Sequence, residues 1–415
     1  MVALFDPARH EPMTTSPWRE SAARAAIKRI TKSAVDEFDP ARGWLAHPLD
    51  DPDTPDEVVH ALYHGSGGVI WALEYLARVG AVERKLDFSR FVIGLAERNR
   101  PALQGGLHGT ASYLLGDTGL WLLEWTFTHD AALAQRIFDA VQGNLDNPVR
   151  EALWGSPGTM LAAIHMAETT AEPRWSQLVQ LALQRLFDEM EIDAETGTWV
   201  WQQNLYGRRQ HLLGAGHGFA GNVYPALRAG KIIAPGLRDQ FMARALATLQ
   251  ATVLRADEGN ESDDGVGGVV ALANWHPAID AQRVAGRLPL VQDCHGAPGI
   301  VCRLAGAPRS AEWDALLLAA GGLGWRAGPL VKGASLCHGT AGTAMACLAL
   351  CRRTGDALWL QRARALGMHC IEQVETARTK YGRGRQSLWT GDLGVACTLW
   401  SCVTGEYAYP TLDVY

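Results

Sequence analysis

The first 293 residues of this 415-residue chain contain no cysteine; all eight lie at or beyond position 294. A disulfide framework distributes its cysteines along a small secreted chain, so this pattern excludes one. No apolar run reaches membrane-spanning length, because Gly or a charged residue interrupts the longer ones. Met1–Arg19 carries Asp6, Arg9 and Glu11 and lacks the apolar stretch of a secretion signal, so a cytoplasmic protein is expected. Positive charge is not in excess: the net charge is −6 and the pI about 6.1. That argues against nucleic acid or an anionic membrane as the main partner. Strict apolar–polar alternation over a useful length is also missing, which leaves little room for half-buried strands.

What is present is a repeat. A short Gly-rich turn opening an apolar helix occurs as His64-Gly65-Ser66-Gly67-Gly68, His108-Gly109-Thr110-Ala111 and Trp154-Gly155-Ser156-Pro157-Gly158. It continues as His217-Gly218-Phe219-Ala220-Gly221, His295-Gly296-Ala297-Pro298-Gly299, His338-Gly339-Thr340-Ala341-Gly342 and Thr390-Gly391-Asp392-Leu393-Gly394, seven in all. Runs such as 69–73, 160–164 and 345–350 are apolar on every side, as inner helices are. Amphipathic stretches between them suit outer helices: 131–145, 175–190, 237–254, 312–320 and 357–374. The expected fold is all-α, an α/α toroid of seven helical hairpins with an inner and an outer ring. Stacked repeats share one core, so the length implies no further split beyond a lead-in, 1–57, and a toroid, 58–415. The lead-in holds a helix over 21–38 and a Pro/Asp-rich connection over 40–55, and an acidic, Gly-rich surface loop is expected around 258–268. Glycine permits backbones to converge where the inner helices begin. Helix N-termini aimed into a shared cavity favour thiolate, enolate or carboxylate there.

Two of the turns carry Cys directly before His-Gly: Cys294-His295-Gly296 and Cys337-His338-Gly339. Cys294, Cys337 and His338 make a soft three-ligand set for zinc with one position left for substrate. Two thiolates cancel the metal's charge and keep an incoming sulfur electron-rich, which suits thiol alkylation better than hydrolysis. The remaining six cysteines, such as Cys302 and Cys347, sit in or beside apolar runs and read as small core residues. His295 fills the slot of His338, as His64 and His108 do in turns without cysteine, so it either caps its turn or serves the site. His217, among glycines, is the general acid/base candidate. Glu151, four residues before Gly155, and Lys332, five before Cys337, are further candidates to face the cavity; the alternative for such lone charges is a solvated position. Two other readings stay open from the residues: a glycoside hydrolase using Glu151 and Asp392 across the cavity, and a non-catalytic zinc- or glutathione-binding protein.

The stretches Gly214–Gly221, Cys294-His295-Gly296-Ala297-Pro298-Gly299 and Leu336–Gly342 resemble the lanthionine synthetase C-like family, over roughly residues 60–405. The resemblance implies an α/α toroid with Zn2+ on Cys294, Cys337 and His338. It also implies addition of a thiol to dehydroalanine or dehydrobutyrine, with His217 protonating the resulting enolate. Glu151 falls where members carry an acidic residue, and Lys332 resembles a lysine of the stand-alone members that act with glutathione. The implied partners are a dehydrated peptide or glutathione with a dehydroamino acid, the latter made by a separate dehydratase, for which the chain has no room. Asp293 stands where a tryptophan is common, and Leu290 where bacterial cyclases carry an arginine, with Arg287 a candidate substitute.

Overall fold

The computed structural model describes residues 3–50, 53, 54, 56–103, 108–259, 269–279 and 288–415. Among these residues the helices are α1 (Glu20–Asp36), α2 (Ser66–Arg78), α3 (Leu95–Asn99), α4 (Asp117–Thr128), α5 (Ala131–Gly143), α6 (Ser156–Thr170) and α7 (Pro173–Asp188). They continue with α8 (Phe219–Arg228), α9 (Pro235–Thr252), α10 (Ala297–Leu304), α11 (Ala311–Ala327), α12 (Thr340–Thr354), α13 (Ala357–Tyr381) and α14 (Asp392–Thr404). The even-numbered helices form the inner ring: each packs on the next, and α14 packs on α2 to close it. Thr340–Leu350 of α12 and Ser156–Met166 of α6 are buried on every side. The outer helices bury a single stripe, as α7 does with Trp175, Leu178, Val179, Ala182, Leu183, Leu186 and Phe187. α1 buries Ala23, Ile27, Ile30 and Ala34 and packs on α13 and α14. The fold is the expected α/α toroid. None of its helices is long and apolar enough to cross a membrane.

Each inner helix starts directly after a glycine: Gly65, Gly116, Gly155, Gly218, Gly296, Gly339 and Gly391. Three residues later comes a second one, Gly68, Gly119, Gly158, Gly221, Gly299, Gly342 or Gly394. A Cβ there would overlap the backbone carbonyl oxygen six residues earlier in the chain. The constant of the repeat is therefore Gly-x-x-Gly, and glycine is demanded by close backbone approach. This corrects the second turn. α4 begins after Gly116, and His108–Ala111 lies in the loop before it, where His108 accepts a hydrogen bond from the Tyr206 amide at 3.3 Å.

The helix N-termini also differ from expectation. The first amides of α2, α4, α8, α12 and α14 donate to carbonyls seven residues back, as Phe219 does to Leu212 at 2.9 Å and Thr340 to Gly333 at 2.9 Å. The preceding loop takes these donors, so they do not face an anion. Three two-stranded antiparallel hairpins, unforeseen in the sequence, join the later repeats: β1 (Glu191–Ile192) with β2 (Trp199–Val200), β3 (Gln203–Leu205) with β4 (Arg208–Gln210), and β5 (Leu254–Gly259) with β6 (Val269–Asn274). Strands of two to six residues are too short to show alternation. The β5–β6 pair forms the stems of the acidic insertion; residues 260–268 and Arg287 lie outside the described residues.

The segment Glu406–Tyr415 crosses the inside of the ring. Tyr113 donates to the Thr411 carbonyl at 2.5 Å, Tyr224 to Asp413 at 2.6 Å, and Tyr415 to the Gly119 carbonyl at 2.6 Å.

Candidate metal centre

Two residues before each helix-opening glycine lies a slot that the turns use to join one another. Its occupants are Tyr63, Leu114, Leu153, Gly216, Cys294, Cys337 and Trp389. Around much of the ring the amide of one donates to the carbonyl of the next: Gly216 to Cys294 at 3.0 Å, Cys294 to Cys337 at 3.1 Å, and Cys337 to Trp389 at 2.9 Å. Trp389 follows to Tyr63 at 3.0 Å, and Tyr63 to Leu114 at 2.8 Å. This is why the two cysteines meet. They hold the same position in neighbouring repeats, and their backbones are bonded directly. The following slot holds His338, whose Nδ1 lies 4.0 Å from Cys294 Sγ.

One ligand atom from each of Cys294, Cys337 and His338 lies within 4.8 Å of the others, and this is the one such group among the described residues. Donor atoms around a tetrahedral zinc sit about 3.6–3.8 Å apart. Two buried sulfurs and an imidazole therefore fit that ion in chemistry and, within a small side-chain adjustment, in spacing. A hydrogen bond from Cys337, outweighing burial, holds the Cys294 thiol well below its ordinary range, while Cys337 is pushed up. Gln292 donates to Cys294 Sγ at 3.1 Å. Of the other cysteines, Cys302, Cys347, Cys370, Cys397 and Cys402 are buried and Cys351 is partly so.

Between the third and fourth turns a side chain replaces the backbone link. Arg150 takes a left-handed φ of 44°, with its carbonyl accepting from Asn222 Nδ2 at 2.7 Å. Such a conformation persists only where neighbours enforce it. It turns Glu151 inward, where the carboxylate accepts from the amides of Leu153 at 3.0 Å and Trp154 at 2.5 Å, and from His217 Nδ1 at 2.8 Å. Burial lowers the affinity of His217 for its second proton, but the bond and charge of Glu151 outweigh it, so the imidazole titrates above its usual value. The His217 side chain is 22% exposed and Glu151 is 0% exposed, so the imidazole alone of the pair reaches the cavity surface, with its Nδ1 side turned to the carboxylate.

His217, Cys294 and Cys337 line one cavity of about 40 Å³, together with Tyr63, Arg303 and Leu412. Lys332 does not join them. It is exposed and lines a second cavity of about 40 Å³ with Arg378, Arg383, Arg385 and Asp392. Asp392 accepts from the Arg385 amide at 3.0 Å, and burial pushes its carboxyl up to about 7. Glu151 and Asp392 thus face different surroundings, unlike a glycosidase pair. His295 stacks on His217 with ring centroids 5.7 Å apart and stands outside the three-ligand group.

Tyr63, Arg303 and Asn274 escaped the sequence reading. Tyr63 fills the cysteine slot of the first repeat, and aligning the turns on Gly-x-x-Gly would have found it. Asp293, 1% exposed, has a partner ten residues on: Arg303, 4% exposed, donates to it at 2.7 Å. Leu290 offers its carbonyl to Asn274 Nδ2 at 3.0 Å, while Asn274 Oδ1 accepts the first amide of α10 at 2.9 Å.

A family model described as lanthionine synthetase C-like protein matches residues 56–414. A stretch of 118 residues is 36% identical to LanC-like protein GCL1 of Arabidopsis thaliana, covering 27% of this chain and 27% of that relative's length. Among solved structures, nisin cyclase superposes with a TM-score of 0.60 and 15% identity over 95% of this chain and 98% of that one, a likeness of fold. The match of the family model to nearly the whole toroid places the chain in the lanthionine synthetase C-like family.

Proposed function

We propose that this protein joins a thiol to dehydroalanine or dehydrobutyrine, forming a thioether, with zinc held by Cys294, Cys337 and His338. The observation that carries the reading is the single cavity lined by His217, Cys294 and Cys337. When bound, the metal supplies the positive charge that lets a substrate thiol lose its proton near neutral pH. The sulfur forms a bond to the β-carbon, and the π pair of the Cα=Cβ bond moves onto the carbonyl. His217 then delivers a proton to the α-carbon. Its Nδ1–H is committed to Glu151, so Nε2 is the nitrogen that exchanges the proton. Glu151 holds the ring in that orientation.

The thiol donor is glutathione or a peptide cysteine. Among the described residues Lys332 and Arg378 have no ion-pair partner, and with Arg383 and Arg385 they give the second cavity a positive wall that suits the carboxylates of such a donor. Lys332 is therefore assigned to binding rather than to proton transfer. The dehydroamino acid comes from a separate dehydratase. The cysteines among the described residues are unpaired, in keeping with a reducing cytoplasm.

The test is mass spectrometry of a dehydroalanine peptide incubated with glutathione, or of a dehydrated peptide carrying its own cysteine. Zinc-loaded protein should form the thioether, and His217→Ala should slow it about 100-fold or more while keeping the metal. No adduct from zinc-loaded protein with either substrate would leave a non-catalytic binding protein.

A further inference from the structure

Asp293 and Arg303 bury opposite charges at the centre of the toroid, directly beside a proposed metal ligand. Charges are buried only when something holds both in register. Here the carboxylate belongs to the residue preceding Cys294, and the guanidinium reaches back from the last turn of α10, the helix that this turn opens. Arg303 Nη2 donates to Asp293 Oδ2 at 2.7 Å, whereas among the described residues Asp293 Oδ1 and Arg303 Nη1 make no further hydrogen bond of good geometry. A single bond does not by itself fix the guanidinium plane. Tyr409 supplies the missing constraint: its ring centroid lies 4.5 Å from the guanidinium carbon. Trp389 lies 6.0 Å from the same carbon, and its carbonyl receives the Cys337 amide. The guanidinium therefore bonds to the residue adjoining Cys294 and lies near the ring of the residue bonded to Cys337.

We propose that Arg303 is a positioning residue for the metal centre: held between Asp293 and Tyr409 of the ring-crossing segment, it fixes the turns that present Cys294 and Cys337. The inference rests on the assignment of those cysteines to zinc. It gives the segment 406–415, remote in sequence from both cysteines, a share in the geometry of the site. It also accounts for an aspartate beside Cys294, since the acid is one half of the clamp.

The test measures zinc affinity of the full chain by competition with a chromophoric chelator, and the visible spectrum of the cobalt(II) form. Arg303→Met should weaken zinc binding about 10- to 100-fold and alter the cobalt bands. Arg303→Lys, which keeps charge without the planar fork, should recover part of the loss. Because Arg303→Met leaves Asp293 unpaired and endangers folding, the decisive variant is Asp293→Asn combined with Arg303→Met. Folded to the wild-type melting temperature, it should still show weakened affinity and an altered cobalt spectrum. Wild-type affinity and spectrum in that folded double variant would overturn the proposal. A wild-type chain that takes up neither metal would remove the zinc assignment itself, and this inference with it.

Discussion

His217 and Glu151 show how one contact divides two roles. Burial alone would leave the imidazole neutral at physiological pH, and the carboxylate at 2.8 Å reverses that direction. A group whose proton affinity is raised on folding contributes stability that is complete below its unfolded value near 6.5 and is lost as pH rises through the folded value. As a general acid, His217 should keep the rate level up to its raised pKa and let it fall above. Glu151→Gln removes the charge but keeps an amide in place, so burial then wins and the alkaline limb should move to lower pH, with a loss of about tenfold or more near pH 8. Rate–pH profiles of the two proteins check this. Superimposable limbs would show that Glu151 does not tune His217.

At the scale of the element, the Gly-x-x-Gly turn sets where each inner helix begins. A Cβ at Gly119 would meet the Tyr113 carbonyl and, at 3.1 Å, a methyl of Leu62. Gly119→Ala should therefore cost about 1–3 kcal/mol in urea denaturation. Gly236 in α9 has nothing within 4 Å of the same position, and Gly236→Ala should be neutral or stabilise by about 0.5–1 kcal/mol. Equal effects at the two sites would refute the role given to close approach. Much of this was legible beforehand, because glycine spacing and the apolar runs are local signals. His-Gly as a marker misplaces the second turn, because His108-Gly109 satisfies it without opening a helix. The first amides of several inner helices, expected to face an anion, are bonded to the preceding loop, which depends on the turn's closed path rather than on residue types. Matched slots brought Cys294, Cys337 and His338 together. The same logic could not reveal Arg303, since the turn pattern says nothing about a side chain at the far end of the helix, nor place Lys332, whose charge faces another cavity.

For the whole molecule, ring closure is what turns sequence-distant turns into one site. Most of the turns are bonded in series through their backbones, and Glu406–Tyr415 ties inner helices and turns from within. A metal on Cys294, Cys337 and His338 would add a further link between the fifth and sixth turns and stabilise the folded ring by mass action. The central claim is that these three residues are a zinc site, and metal content of the purified chain beside Cys337→Ala tests it most directly. About one zinc per chain, lost in the variant, is the predicted result. Protein purified without chelators that holds no metal, and takes up none when zinc is added, would contradict the account and leave two cysteines that merely pack at the meeting of two turns.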